Sequence, residues 1–218
     1  MANFFELPKE LEIESIHAKE GYLRDRFLEK AIVNDYEKGY ISVPFVNQLI
    51  DLELQGYAAD IIAHNINSNG ISVDKIVQIP YSGNSLATSV AERLRVPLVL
   101  GRKEKETPGA WQEVFLIQEK IHSFTTGKDL LFIFNEIRKG DRVYIIDDVI
   151  ANGDTAPTII SEFMKEGIEV MGMAVYFAKL FQPGVEKIKE QTGIESFSVI
   201  GIESINPERI ESLAPSHF

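Results

Sequence analysis

VYIIDDVIANGDTA, residues 143–156, is the stretch from which the fold can be read. Its first four residues are apolar, as a strand buried on both faces requires. Asp147 and Asp148 come next, at the carboxyl end of that strand, where open α/β sheets place their ligands. Small and polar residues then follow, Ala151-Asn152-Gly153-Asp154-Thr155, opening into a helix-forming run. Such a turn lets backbone N–H groups close around an anion at a helix N-terminus. Thr155 adds a hydroxyl donor and is expected to cap the helix. Two carboxylates directly after an apolar strand are costly to bury without donors, and ribose hydroxyls are suitable donors. The whole stretch reads as a cradle for a ribose 5-phosphate. On local sequence alone the acid pair reads equally well as an ordinary strand end.

Working outward, residues 44–69 carry apolar positions at helical spacing and stop at Asn69-Gly70. Residues 73–79 predict a buried strand, 80–84 a turn, 85–95 a helix and 96–100 the next strand, with Pro97 near its start. Residues 102–112 are charged and contain Pro108-Gly109, the composition of a loop, with 114–117 and 130–134 as paired strands beside it. Residues 138–141 turn into the central strand. Beyond the central stretch the pattern predicts a helix over 155–166 ending at Gly167 and a strand over 170–177. A break at Phe181-Gln182-Pro183-Gly184, a helix over 185–191 and a last strand over 197–202 follow. This alternation implies βαβ units and a parallel sheet. Residues 1–40 are richer in charge and less periodic, and are expected to cap the sheet.

At 218 residues the chain is most simply one domain. Hydrophobic residues make up 44% and charged residues 25%, an ordinary globular composition. With no cysteine there is no disulfide framework and no thiolate metal site. The net charge of −11 serves solubility and argues against nucleic acid as the main partner, while leaving room for a small anion held by a local patch. The acidic N-terminus does not read as a signal peptide, and no apolar run approaches the roughly 20 residues needed to span a bilayer. A cytoplasmic protein without a membrane partner is expected. The four histidines are scattered, and their spacing suggests neither a metal site nor a triad.

The central stretch resembles the phosphoribosyl pyrophosphate (PRPP) signature of the type I phosphoribosyltransferases: four apolar residues, two acids, an apolar pair and a small loop. From residue 73 onward the chain is similar to the bacterial xanthine phosphoribosyltransferase branch of purine salvage. The similarity rests on IANGDTA, on SFT at residues 123–125 and on AKLFQPG at residues 178–184. Two residues depart from the pattern, Asn152 where Thr is commoner and Asp154 where Gly or Lys is commoner. An inward carboxylate at Asp154 would repel a 5-phosphate by on the order of 4 kcal/mol per charge pair at about 4 Å. Its side chain is therefore expected to point away, with only its backbone N–H engaged.

The resemblance implies a central parallel sheet flanked by helices, an α/β fold. Residues 41–178 would form the core, and residues 1–40 and 179–218 a small hood. It implies that Asp147 and Asp148 hold the ribose hydroxyls and stabilise charge in catalysis. Ala151, Asn152, Gly153, Asp154 and Thr155 would bind the 5-phosphate. Ser82, Gly83 and Asn84 would form the pyrophosphate loop, Gly83 permitting close approach and its neighbours donating hydrogen bonds. Arg102 and Lys103 would meet the pyrophosphate from a closing loop, or simply be solvated there. Lys179 would touch the exocyclic oxygen of a 6-oxopurine, or be a strand-end surface lysine. Phe181 would stack on the base or fill the core, and Ile150 would pack on the base's other side. Pro80-Tyr81 is unlike the loops of the family, and the sequence gives no physical account of it.

The function implied is transfer of ribose 5-phosphate from PRPP to a purine base, xanthine foremost, with hypoxanthine or guanine next and pyrophosphate released. Magnesium would arrive on PRPP, with no metal ligated by the protein itself, and a homodimer is the default assembly. No general base is evident: Ala151 stands where some relatives carry an acid. The alternatives are a non-catalytic PRPP-binding regulator of the purine-repressor type, or an adenine or orotate phosphoribosyltransferase.

Overall fold

A computed structural model describes residues 15–104, 114–122 and 129–214, and sets the apolar run of the central stretch in the middle of a six-stranded sheet. The chain opens with α1 (Ile16–Lys30), a hairpin of β1 (Ile32–Asp35) and β2 (Tyr40–Ser42), the single turn α2 (Pro44–Asn47) and α3 (Leu52–Ser68). Next come β3 (Lys75–Gln78), α4 (Asn84–Leu94), β4 (Leu98–Leu100), β5 (Arg102–Glu104), β6 (Val114–His122) and β7 (Asp129–Asn135). The central strand β8 (Arg142–Ile150) leads to α5 (Ala156–Lys165), β9 (Glu169–Lys179), α6 (Gly184–Thr192), β10 (Ser196–Ile205) and β11 (Ile210–Ala214).

The main sheet has the order β11-β10-β9-β8-β3-β4, parallel throughout except for β11 at its edge. Alternate side chains go to opposite faces. Ile76, Tyr144, Ile146, Ala174 and Tyr176 enter a core with α1, α3 and α4. Val77, Val143, Ile145, Met173 and Val175 enter a second core with α5 and α6. Because both faces are covered, β8 reads as an unbroken apolar run. At the amino end of the sheet, Arg142 grips Asp74 with two hydrogen bonds of 2.7 and 3.0 Å, fixing the register of β8 on β3. From β3 the chain steps outward to β4 on one side, whereas β8, β9 and β10 build outward on the other. The carboxyl ends of β3 and β8 therefore flank a topological switch point, where such sheets open a crevice.

Residues 15–42 are more ordered than their composition suggests. Ser15 caps α1, its hydroxyl accepting from the Ala18 N–H at 3.2 Å. Leu23 and Phe27 are fully buried, and the Phe27 ring meets Phe45, Tyr176 and Phe177. The two buried positions are four apart, a sparse stripe that a charged helix conceals. The β1–β2 hairpin turns at Gly39, whose φ of +65° suits glycine.

Three expectations need correction. Residues 102–104 are not loop but strand β5, which pairs antiparallel with β7 in a second sheet of order β5-β7-β6. Its charged side chains hid it, because an edge strand tolerates them. Residues 196–214, assigned by resemblance to the hood, supply β10 and β11 of the main sheet. Thr155 occupies the N-cap position of α5, but its side chain makes no capping bond, since its backbone is already helical at φ −87° and ψ −46°. Residues 105–112 of the expected loop, Ser123 to Thr125 and residues 1–14 of the expected hood lie outside the described residues.

Candidate active site

β8 runs on through the acid pair to Ile150, so Asp147 and Asp148 project from a strand rather than from a flexible end. Asp148 is buried and accepts a 2.9 Å hydrogen bond from the side-chain amide of Asn47, the last residue of α2. Asp147 is half-buried, and its Oδ1 accepts the backbone N–H of Asp148 at 2.9 Å. Burial, then the charge of Asp148, pushes the Asp147 carboxyl well above the usual carboxylate range; that N–H bond and the Lys103 ammonium pull the other way.

The turn after β3 crosses directly over this strand. A Cβ on Gly83 would lie 2.8 Å from Asp147 Cα, so only glycine lets the two backbones meet. Ser82 and Asn84 on either side are exposed at the start of α4. The Pro80–Tyr81 peptide is cis. The Tyr81 hydroxyl accepts the Lys103 N–H at 2.9 Å and donates to the Lys103 carbonyl at 2.8 Å, tying this turn to β5. The Lys103 ammonium sits 5.7 Å from the Tyr81 ring centre and 5.5 Å from that of Phe132. The charge of Lys103 is felt at Asp147, while Arg102, its neighbour along an extended strand, faces the other way.

On the far side, residues 151–155 wrap from β8 into α5. Gly153 has φ +68°, and a Cβ there would stand 2.7 Å from Gly184 Cα at the start of α6. A Cβ on Gly184 would in turn overlap the Ala151 carbonyl oxygen. Asp154 pairs with Lys187 of α6. Pro157 opens α5, a position where its missing N–H costs nothing.

Beyond the carboxylates, β9 ends at Lys179, whose ammonium donates to the Gly39 carbonyl of the hairpin at 2.8 Å. Burial lowers its pKa, and nearby Asp148 partly offsets this. Phe181 is 38% exposed and lies against Gly39, so it is not a core residue. A cavity of about 440 Å³ opens there, lined by Tyr36, Gly39, Phe181, Gln182, Glu203 and Ile205 among others. Ile150 is buried in the core below, against Gly184. Among the described residues no group of three or more His, Cys, Asp or Glu is placed to hold a metal.

The phosphoribosyl transferase domain family matches residues 46–204, which span β3 to β10 and every site element just described except the hairpin. This chain belongs to that family. A xanthine phosphoribosyltransferase of Agathobacter rectalis is 31% identical over 169 residues, 77% of this chain and 85% of the relative. Another, of Lachnoclostridium phytofermentans, is 32% identical over 189 residues, 85% of this chain and 93% of the relative. Among solved structures, an adenine phosphoribosyltransferase from Thermoanaerobacter pseudethanolicus superposes with a TM-score of 0.66 at 23% identity, covering 82% of this chain and 99% of that one. One from Leishmania donovani gives 0.67 at 17% identity, covering 90% and 88%. At those identities the structural likeness speaks for the fold.

Within this phosphoribosyltransferase, four residues around the crevice were given no site role from sequence. Asn47 reaches Asp148 from 101 positions away, and nothing local to PFVN announces it. Tyr81 and Gly184 are legible only once β5 and α6 are placed. Lys187 is four residues past Pro183, one helical turn into α6, and Asp154 was the signal that a cation had to be near.

Proposed function

We propose that this phosphoribosyltransferase joins a 6-oxopurine, xanthine foremost, to C1 of PRPP and releases pyrophosphate. The observation that carries the reading is the crossing of Gly83 over Asp147 at the switch point between β3 and β8. It puts a turn suited to pyrophosphate and a strand suited to ribose hydroxyls in contact. C1 lies between those two groups in PRPP. In the reaction a ring nitrogen of the base bonds to C1, the C1–O bond breaks with its electron pair leaving on pyrophosphate, and the nitrogen's proton passes to solvent. The protein's part is positioning and electrostatics. Asp147 and Asp148 hold the 2- and 3-hydroxyls and stabilise positive charge growing on the ring. Ser82, Gly83, Asn84 and Lys103 hold the pyrophosphate, while Arg102, on the opposite face of β5, is left out of that role. Ala151 to Thr155 hold the 5-phosphate.

Lys179 spends one of its three donors on Gly39 and keeps the others for an exocyclic oxygen. The 6-amino group of adenine cannot accept such a bond, so the lysine favours a 6-oxopurine. Phe181, half-open beside the cavity, offers a ring face to the base. Magnesium belongs to the substrate, riding on the PRPP oxygens and neutralising the leaving pyrophosphate. A cytoplasmic homodimer completes the proposal. The pairing of Asp154 with Lys187 supports phosphate binding at this loop, which turnover and a binding-only regulator both require, and the turnover assay separates the two. The test offers xanthine, hypoxanthine, guanine, adenine and orotate in turn with PRPP and magnesium, and identifies the nucleotide by mass. Xanthosine 5-monophosphate as the main product is expected; adenine or orotate as the sole substrate overturns the assignment of Lys179.

A further inference from the structure

We infer that Lys187 is a positioning residue for PRPP: by pairing with Asp154 it makes an acidic phosphate loop compatible with a 5-phosphate. The inference rests on the proposal that residues 151–155 bind that phosphate. Asp154 places a negative charge in a loop whose ligand is a dianion, and such a charge weakens binding unless a cation cancels it. One helix supplies that cation. α6 begins at Gly184, which packs against Ala151 and Gly153 so closely that no side chain fits between them. One turn further along the same face, Lys187 meets the Asp154 carboxylate. The Lys187 N–H donates to the Pro183 carbonyl at 2.9 Å, so the residue sits on a formed first turn and not on a frayed one. Both partners are about one-third exposed, at 34% and 37% of their side-chain surface. At that exposure the pair adds little to folding stability. Its consequence lies instead in the field at the loop, and it reaches the substrate through Asp154 rather than by contact.

The experiment measures KM for PRPP, KM for xanthine and kcat in the wild type, K187A, K187R, D154N and D154N/K187A. We expect K187A to raise KM for PRPP roughly tenfold while KM for xanthine and kcat stay within about twofold. K187R keeps the charge and stays near the wild type. D154N/K187A returns KM for PRPP to within about twofold of D154N, because no carboxylate remains to be cancelled. Raising ionic strength shrinks the ratio of KM between K187A and the wild type, a response that a purely structural role would not give. Equal KM values for K187A and wild type, or a D154N/K187A enzyme as poor as K187A, overturn the inference while leaving the proposed reaction standing. A wild type that neither turns over nor binds PRPP removes both.

Discussion

Asp147 and Asp148 are neighbours with different surroundings, and their substitutions should separate. Asp148 is held by Asn47 and aimed at the crevice, so Asp148→Asn keeps the hydrogen-bond geometry and loses the charge. We expect kcat to fall by about a hundredfold or more with an unchanged circular dichroism spectrum; wild-type turnover would remove Asp148 from the mechanism. Asp147 carries a raised pKa, so the folded state holds its proton to higher pH than the unfolded chain does. Folding stability is then lost as pH rises from the unfolded value of about 4 toward the folded one. Asp147→Asn removes that loss. Its melting temperature should match the wild type near pH 4 and exceed it at pH 7, while its activity falls. A gap that does not widen with pH would contradict the burial of this carboxyl. The same residue would thus weaken the fold and serve the reaction, a trade seen where charge must meet a substrate.

The strand-and-turn elements explain what the sequence disclosed and what it withheld. β8 and the residues after it were legible because an apolar run, two acids and a small loop each have a chemical reason to stand in that order. Gly83 was legible as a glycine at a close approach, though not that it approaches Asp147. β5 was not legible: three charged residues look like a loop until β7 supplies the pairing partners some 30 residues further on, Arg102 opposite Ile133 and Glu104 opposite Leu131. Nor was α1 legible, since only Leu23 and Phe27 of its 15 residues are buried. Pro80-Tyr81 found its account in geometry, because the Tyr81 hydroxyl clasps both backbone groups of Lys103. Tyr81→Phe should free β5 to move and raise KM for PRPP by about threefold to tenfold, each exposed bond contributing roughly 0.5–1.5 kcal/mol; steady-state kinetics would detect it, and an unchanged KM would make the clasp incidental. Phe27→Ala should destabilise the protein by about 3–5 kcal/mol, measured by urea unfolding, because its ring is the anchor of α1. A cost under 1 kcal/mol would mean that α1 is only loosely attached.

Taken whole, the molecule is an acidic chain of net charge −11 with a crevice built for a highly anionic ligand. It does this by local arrangement: Lys103 held between two rings, the N-termini of α4 and α5 at the two ends of the crevice, and Asp154 cancelled by Lys187. The hairpin of residues 32–42 covers the carboxyl ends of β9 and β10 and meets Lys179 and Phe181, so the proposed base site and the proposed sugar site lie on different parts of one fold. That division was partly visible in sequence, as a periodic core after residue 44 and a less periodic start. The register of hairpin on sheet was not, because it depends on contacts 140 residues apart. The most direct measurement of the central claim is pyrophosphate release by the wild type and Asp148→Asn, each given PRPP and magnesium with or without xanthine. The account predicts release by the wild type only when xanthine is present, matched one for one by nucleotide, and almost none from the variant. No xanthine-dependent release from the wild type, or equal release from both, would contradict it.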